Sequence, residues 1–289
     1  MPCDEGMFYS IDEYVRAEGE GAEDGRYTLP QVLAWMKAIA ADAAAAMAKA
    51  ERIGLPDTPE ARGVRLDVQM LCAMAEYHIY KAQAAYMLSR YRQYGDTSCP
   101  SHALIYMRAA IEKWKLLSSL GEAYHDNLLF GVGTEIPREG TWCDYLPELR
   151  ADLAMLKSLS VESTASETYI IREAGHTKPP RWRVNLPMQH PAGKPLEVHL
   201  WAMEDISIRG GVRIRVRHTN QLEGAFRTIP MYRTPDGWSA CIPAEEAGPA
   251  WDLLVFFEAT AVNGDGIRYP GLWNDEELQP YFIIKTTSP

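Results

Sequence analysis

Apolar and polar residues follow two different periods along this chain, and the change falls near residue 180. Between Val64 and Tyr94 there is neither Gly nor Pro, and Ala, Met, Leu, Gln and Arg dominate, the composition of a long helix. Val64, Val68, Leu71, Ala75, Ile79, Ala82 and Tyr86 recur at helical spacing, and Leu66, Met70, Met74, Tyr77, Ala84, Leu88 and Tyr91 form a second apolar line. A helix apolar on two sides packs on two sides, so this stretch is predicted as the central member of an antiparallel α-helical bundle.

The neighbouring segments supply its partners. Thr28 reads as an N-cap, with Pro30 in the first turn and Gln31 in the capping-box position, opening a helix to Arg52 or Ile53 that Gly54 ends. Its run of alanines after Ala40 predicts a smooth surface for close helix contact. A third helix is expected from Ser101 to about Leu120 or Tyr124, with Leu104, Ile105, Met107, Ile111, Trp114, Leu117 and Leu120 inward, and a fourth from Leu146 to Leu159. Between these two, the passage from Asp126 to Tyr145 contains Gly131, Gly133, Pro137 and Gly140 and reads as an irregular, ordered loop.

From Arg181 onward the period is two. Strands are predicted at Arg181–Leu186, Leu196–Trp201, Val212–His218, Phe226–Tyr232, Trp238–Ile242, Asp252–Ala261 and Gln279–Lys285, parted by Gly, Pro, Asn and Asp. Val212, Ile214 and Val216 point inward, against Arg213, Arg215 and Arg217 on a solvated face. Thr234-Pro235-Asp236-Gly237 is a hairpin turn. Seven or eight short strands in about one hundred residues is the count of an immunoglobulin-like β-sandwich. The expected organisation is therefore an acidic lead-in at 1–27, a helical bundle at 28–160, a linker at 161–180 with a short strand at Tyr169-Ile170-Ile171, and the sandwich at 181–289. The aromatic run Met7, Phe8, Tyr9, Ile11, Tyr14 and Val15 marks the lead-in as a docking segment, expected to lie on the helical domain.

Composition narrows the partners. With 29 Lys and Arg against 39 Asp and Glu, the net charge of -10 argues against nucleic acid and anionic membrane. Cys3, Cys72, Cys99, Cys143 and Cys241 show no CxxC spacing, the pattern of free thiols in a reducing, cytoplasmic setting; an extracellular one follows if the chain is a piece of a longer secreted protein. No stretch approaches the length of a membrane span.

The wording of the C-terminal strands is distinctive: Val216-Arg217-His218-Thr219-Asn220-Gln221, Trp238-Ser239-Ala240-Cys241-Ile242-Pro243, Tyr269-Pro270-Gly271 and Gln279-Pro280-Tyr281-Phe282. It resembles the immunoglobulin or fibronectin-III-like module that closes large bacterial glycoside-hydrolase-like proteins. The helical part, through Tyr9-Ser10-Ile11-Asp12-Glu13-Tyr14 and Trp142-Cys143-Asp144-Tyr145-Leu146-Pro147-Glu148-Leu149, is similar to the domain before that module. No βα alternation of a catalytic barrel is present. The resemblance thus implies an accessory region or subunit of a carbohydrate-processing system, and it carries no catalytic residue over.

Candidate chemistry is sparse. Glycoside cleavage needs two facing carboxylates, for which Glu135, Glu139 and Asp144 are the candidates; Asp67 and Glu76 are about 13 Å apart along a helix and read instead as salt-bridging residues. Glu122-x-x-His125 matches half of a di-iron site and Glu173-x-x-His176 the other half only in form, so no metal and no cofactor is expected. No nucleophile or phosphate-loop motif occurs. A sugar-binding surface needs exposed rings beside polar groups, and Tyr269, Trp273 and Asn274, with Tyr232 and Trp238 about the hairpin turn and Trp142 in the irregular passage, have that composition. The function expected is a non-catalytic accessory region that braces a catalytic domain or binds glycan, with carbohydrate or a separate catalytic domain as partner. The alternatives are a glycoside-processing enzyme with a cleft between its domains, and a protein-interaction module.

Overall fold

The computed structural model describes residues 6–124, 128–130, 138–159, 171–220, 226–248, 251–272 and 279–287. Helices α1 (Ile11–Glu20), α2 (Leu29–Arg52), α3 (Pro59–Tyr94) and α4 (Cys99–Gly121) are followed by a small hairpin, β1 (Leu128–Phe130) and β2 (Arg138–Gly140), and by α5 (Leu146–Leu159). Then come β3 (Trp182–Val184), β4 (Gln189–Pro191), β5 (Leu196–Ala202), β6 (Ile208–His218), β7 (Arg227–Pro230), β8 (Tyr232–Thr234), β9 (Gly237–Ile242), β10 (Leu253–Ala261), β11 (Gly266–Tyr269) and β12 (Phe282–Thr287). A helical region thus precedes a β-rich one. The chain forms two compact units, Val32–Arg172 in one and Met1–Gln31 with Glu173–Pro289 in the other.

The helical unit is built on α3 and α4. Thr58 caps α3 through its side chain and Gly95 ends it in the left-handed conformation. Tyr77, Tyr86 and Met87 on α3, and Met107, Trp114 and Leu117 on α4, are buried. The Trp114 indole donates to the Trp142 carbonyl at 2.7 Å and contacts the rings of Tyr77, Trp142 and Tyr145, so it joins α3, α4 and the turn before α5. Two expectations are corrected. Val64, Leu71 and Ile105 are 56%, 62% and 56% exposed, so the first apolar line of α3 is buried only towards its C-terminal end, where Ile79 and Tyr86 lie. Ala41, Ala44, Ala45 and Ala46 on α2 are likewise exposed, so the alanine run meets α3 on one side only, where the Cys72 thiol lies 3.5 Å from the Ala40 carbonyl. Ala favours helix by intrinsic propensity, which needs no neighbour.

In the β-rich unit two sheets share one apolar core. The larger runs β4-β12-β10-β6-β7 with β11 also on β10, and the smaller runs β3-β5-β9-β8. All their pairings are antiparallel except β4 with β12. Val212, Ile214, Val216, Leu253, Val255 and Phe257 from the larger sheet meet Trp182, Val198, Leu200, Trp238 and Ile242 from the smaller. The predicted strand Phe226–Tyr232 is divided: β7 pairs with β6 and β8 with β9, and the chain changes sheets at Pro230-Met231, where Pro has no N–H to continue a ladder and Met231 turns into the core.

The lead-in lies on the larger sheet, in the β-rich unit, and not on the helices. Ser10 and Glu13 form a capping box that opens α1. Arg213 donates to the Asp24 carbonyl, Thr260 Oγ1 to the Glu23 carbonyl at 3.1 Å, and Arg268 to the Gly6 carbonyl at 2.8 Å. This is why β10 is buried at every position, its outer residues Leu254, Phe256, Glu258 and Thr260 included. The arginine row of β6 is correspondingly not a solvated face. Arg213 and Arg215 each lie 3.3 Å from the buried Glu258 carboxylate, and Arg217 stacks on Phe226. The Tyr169–Ile171 strand falls largely outside the described residues; Ile171 itself is buried and not in a strand.

Candidate functional site

The lead-in covers the outer face of the larger sheet about β6, β10 and β11, and the outer face of the smaller sheet is exposed at Tyr232. β5 reads Leu-Glu-Val-His-Leu-Trp, and the alternation sends Leu196, Val198 and Leu200 into the core while Glu197, His199 and Trp201 face out. The register aligns His199, Ser239 and Tyr232 in one row across β5, β9 and β8, and Arg183, Trp201, Gly237 and Thr234 in the next across β3, β5, β9 and β8. Tyr232 is 75% exposed.

Hydrogen bonds fix this face. His199 Nδ1 lies 2.6 Å from Ser239 Oγ, and its Nε2 lies 3.3 Å from Asp236 Oδ1. The Trp201 indole N–H donates to Asp236 Oδ2 at 3.0 Å, its ring packs on His199 at 4.4 Å between centroids, and the Arg183 guanidinium sits 5.9 Å from the ring centre. Asn185 Oδ1 accepts from the His199 N–H at 2.5 Å. Glycine at 237 is required by close approach, because a Cβ there would fall on the carbonyl oxygen of Leu200. Opposite Trp201 there is consequently no side chain, and the indole spans the ladder to reach Asp236 on the turn. Desolvation pushes the Asp236 carboxyl up, but hydrogen bonds from Thr234, its own backbone N–H and Trp201, with the nearby His199, outweigh it and hold the carboxyl below its usual range.

The Ser239, His199 and Asp236 side chains follow one another across this face in the order of a nucleophilic triad. β9 is paired on both sides, to β5 and β8, so the amides around Ser239 serve the ladders and do not converge on a developing oxyanion. The arrangement positions rings and polar edges.

The sequence candidates are dispersed. Trp238 is 6% exposed, stacked on Trp182 in the core and unavailable to a surface ligand. Tyr269 packs among Trp182, Phe257 and Phe282. Trp142 is half-buried beside Trp114 in the helical unit. Asp144 accepts from the Thr141 N–H at 2.7 Å and from its hydroxyl at 3.1 Å, the work of a cap. Glu135, Trp273 and Asn274 lie outside the described residues, as does the Glu139 side chain. Glu76 pairs with Lys113 at 2.7 Å, and Asp67 accepts from the Tyr124 hydroxyl. Among the described residues no group of three or more His, Cys, Asp or Glu is placed to hold a metal ion, and no helix is long and apolar enough to cross a membrane. Of the predicted ring positions among the described residues, Tyr232 alone joins the outer face. Trp201, His199, Ser239 and Arg183 were not singled out, although the alternation of β5 carries the signal: an aromatic residue in the polar phase of a strand.

No protein-family model matches this chain, and no curated protein is similar to it. Among solved structures, a GH138 enzyme targeting pectin rhamnogalacturonan II is similar over 52% of this chain and 23% of its own, with 19% identity and a TM-score of 0.47. S. aureus TarS is similar over 78% of this chain and 41% of its own, with 10% identity and a TM-score of 0.22. The chain therefore spans less than half the length of either neighbour, and both likenesses are too slight to carry a fold or a function across.

Proposed function

We propose that this chain is a non-catalytic accessory region of a carbohydrate-active protein, that its β-rich unit is an immunoglobulin-like sandwich, and that it binds glycan on the outer face of the β3-β5-β9-β8 sheet. The observation that carries the reading is the exposed Tyr232 ring, in register with Ser239 and His199 and one row from Trp201. A pyranose offers an apolar C–H face edged by hydroxyls. It is met by a ring flanked by directed donors and acceptors, and Arg183, Asn185, His199 and Ser239 supply them. The Trp201 indole is held by Asp236, so little side-chain freedom remains to be lost on binding. The sandwich reading is supported by the two antiparallel-rich sheets around one core and by the strand switch at Pro230.

The test is a titration of tryptophan fluorescence in the whole chain, which has eight tryptophans, with neutral and acidic oligosaccharides while new reducing ends are assayed in the same wells. A saturable shift without reducing ends is the expected result. New reducing ends would identify a hydrolase, and no shift with any sugar would remove the binding role.

A further inference from the structure

We infer that the cleft at the Arg181 end of β3 is a second subsite for the same glycan, taking a sugar unit several units along from the one stacked on Tyr232 at the sheet face, since β8 lies three strands from β3. The inference rests on the glycan reading of that face.

Arg183 is the ladder partner of Trp201, and Arg181 is two residues back on the same chain, just before β3, in a turn that the Trp182 N–H closes on the Pro180 carbonyl at 2.9 Å. The β3–β5 pairing continues to this point, since Met203 N–H donates to the Arg181 carbonyl at 2.9 Å and Arg181 N–H to Glu204 Oε1 at 2.7 Å. There the sheet opens into a cleft of about 390 Å³, within the range of about 300–1,000 Å³ for small-molecule sites.

The lining suits a sugar. Pro179, Pro180, Ile206 and Ile267 give it an apolar floor, and Lys178, Arg181, Glu204 and Asp205 stand around it as donors and acceptors. The side chains of Lys178, Arg181 and Asp205 are exposed and take part in no ion pair among the described residues, so they are available to hydroxyls.

One wall is pre-set. Gly175 and His176 donate their N–H groups to the buried Asp265 carboxylate at 2.6 and 2.9 Å, and the His176 carbonyl accepts from Gln31 at 2.5 Å. These bonds anchor the segment that leads through Lys178 to Arg181. A wall fixed before the ligand arrives loses little entropy on binding.

The experiment compares di- and hexasaccharides of glucose, xylose and galacturonic acid as probes, by isothermal titration of the whole chain and of Arg181→Ala, Asp205→Ala and Tyr232→Ala. Arg181→Ala leaves the backbone bond to Glu204 in place. For whichever hexasaccharide binds, Arg181→Ala and Asp205→Ala are each expected to weaken binding about tenfold and to leave the matching disaccharide unchanged, whereas Tyr232→Ala weakens both. Hexasaccharide affinity unchanged in Arg181→Ala and Asp205→Ala but lost in Tyr232→Ala would overturn the second subsite and spare the face. Loss in the cleft variants with none in Tyr232→Ala would overturn the face, and with it the shared glycan. Binding of no probe would overturn both.

Discussion

The side chain of Gln31 and the backbone of Gly266 exchange two hydrogen bonds across 235 residues of sequence: Nε2 donates to the Gly266 carbonyl at 2.8 Å and Oε1 accepts from its N–H at 2.9 Å. An amide side chain here does what a neighbouring strand would do for the start of β11. The same Oε1 accepts from Thr28 N–H and Oγ1, and Asp265 beside it accepts from Gly175, His176 and Asn263. Gln31 and Asp265 are 1% and 0% exposed. Buried polar groups are tolerated because each is paired.

Gln31→Ala is expected to destabilise the β-rich unit. It strands the N–H and carbonyl of Gly266, and each buried group left without a partner costs about 1–3 kcal/mol. Chemical denaturation followed by fluorescence should show a lower midpoint, with the release of residues 6–28 visible as faster proteolysis. An unchanged midpoint would mean that water satisfies Gly266 and that the contact is incidental.

Much of this was legible and some was not, for physical reasons. The Thr28/Gln31 pair reads as a capping box from spacing alone, and both do face one another. That the same glutamine also serves Gly266 is invisible in sequence, because the partner is backbone and backbone has no signature. Helices α2 to α5 and most strands follow the predicted periods; α1, inside the expected lead-in, was not anticipated, nor were β4 and β11, three or four residues being too few for a period of two to register. The arginines of β6 looked solvated since alternation marks only which face a residue takes, and whether a later layer covers that face depends on the lead-in. Trp238 illustrates the converse: aromatic residues beside a turn are as useful to a core as to a ligand, and only the register with Leu200 decides it.

Lowering the pH should loosen the lead-in before the rest. The Ser10 hydroxyl, with help from Arg26, holds the Glu13 carboxyl below its usual range. Burial pushes the Asp24 carboxyl up, but hydrogen bonds from Arg26 and Tyr9 outweigh it and the net direction is down. For a carboxyl lowered in the folded state, the stabilisation is complete above its unfolded pKa of about 4 and is lost as pH falls below that towards the folded value. Hydrogen-exchange protection of Tyr14, Ala22 and Tyr27, whose N–H groups donate to Ser10, Ala17 and Met7, should therefore drop between pH 5 and 3 ahead of β10. Equal protection at both pH values would show that apolar contacts alone hold the segment.

Gly237→Ala should damage the sheet face and the fold together. Its Cβ would meet backbone, the Leu200 carbonyl, which cannot swing aside as a flexible side chain can. Overpacking of this kind costs about 1–3 kcal/mol. Moving β9 away from β5 also draws Asp236 from the Trp201 indole, so the fluorescence of Trp201 should become more solvent-like. A variant with native stability and an unshifted spectrum would show that the two strands have slack at this point.

Tyr232 and Trp238 separate binding from stability. Their side chains sit on opposite faces of the same hairpin, one 75% and the other 6% exposed. Tyr232→Ala removes a ring that the core does not use, so stability should change by no more than about 0.5 kcal/mol. A stacked ring contributes about 0.5–1.5 kcal/mol, which predicts a fall in oligosaccharide affinity of about two- to tenfold. Trp238→Ala opens a cavity beside Trp182 and should cost about 3–5 kcal/mol, with any change in sugar affinity following from lost fold. Measuring both variants by thermal unfolding and by titration sets the two effects side by side. If Tyr232→Ala retains full affinity at full stability, the outer face of this sheet is not where the glycan stacks.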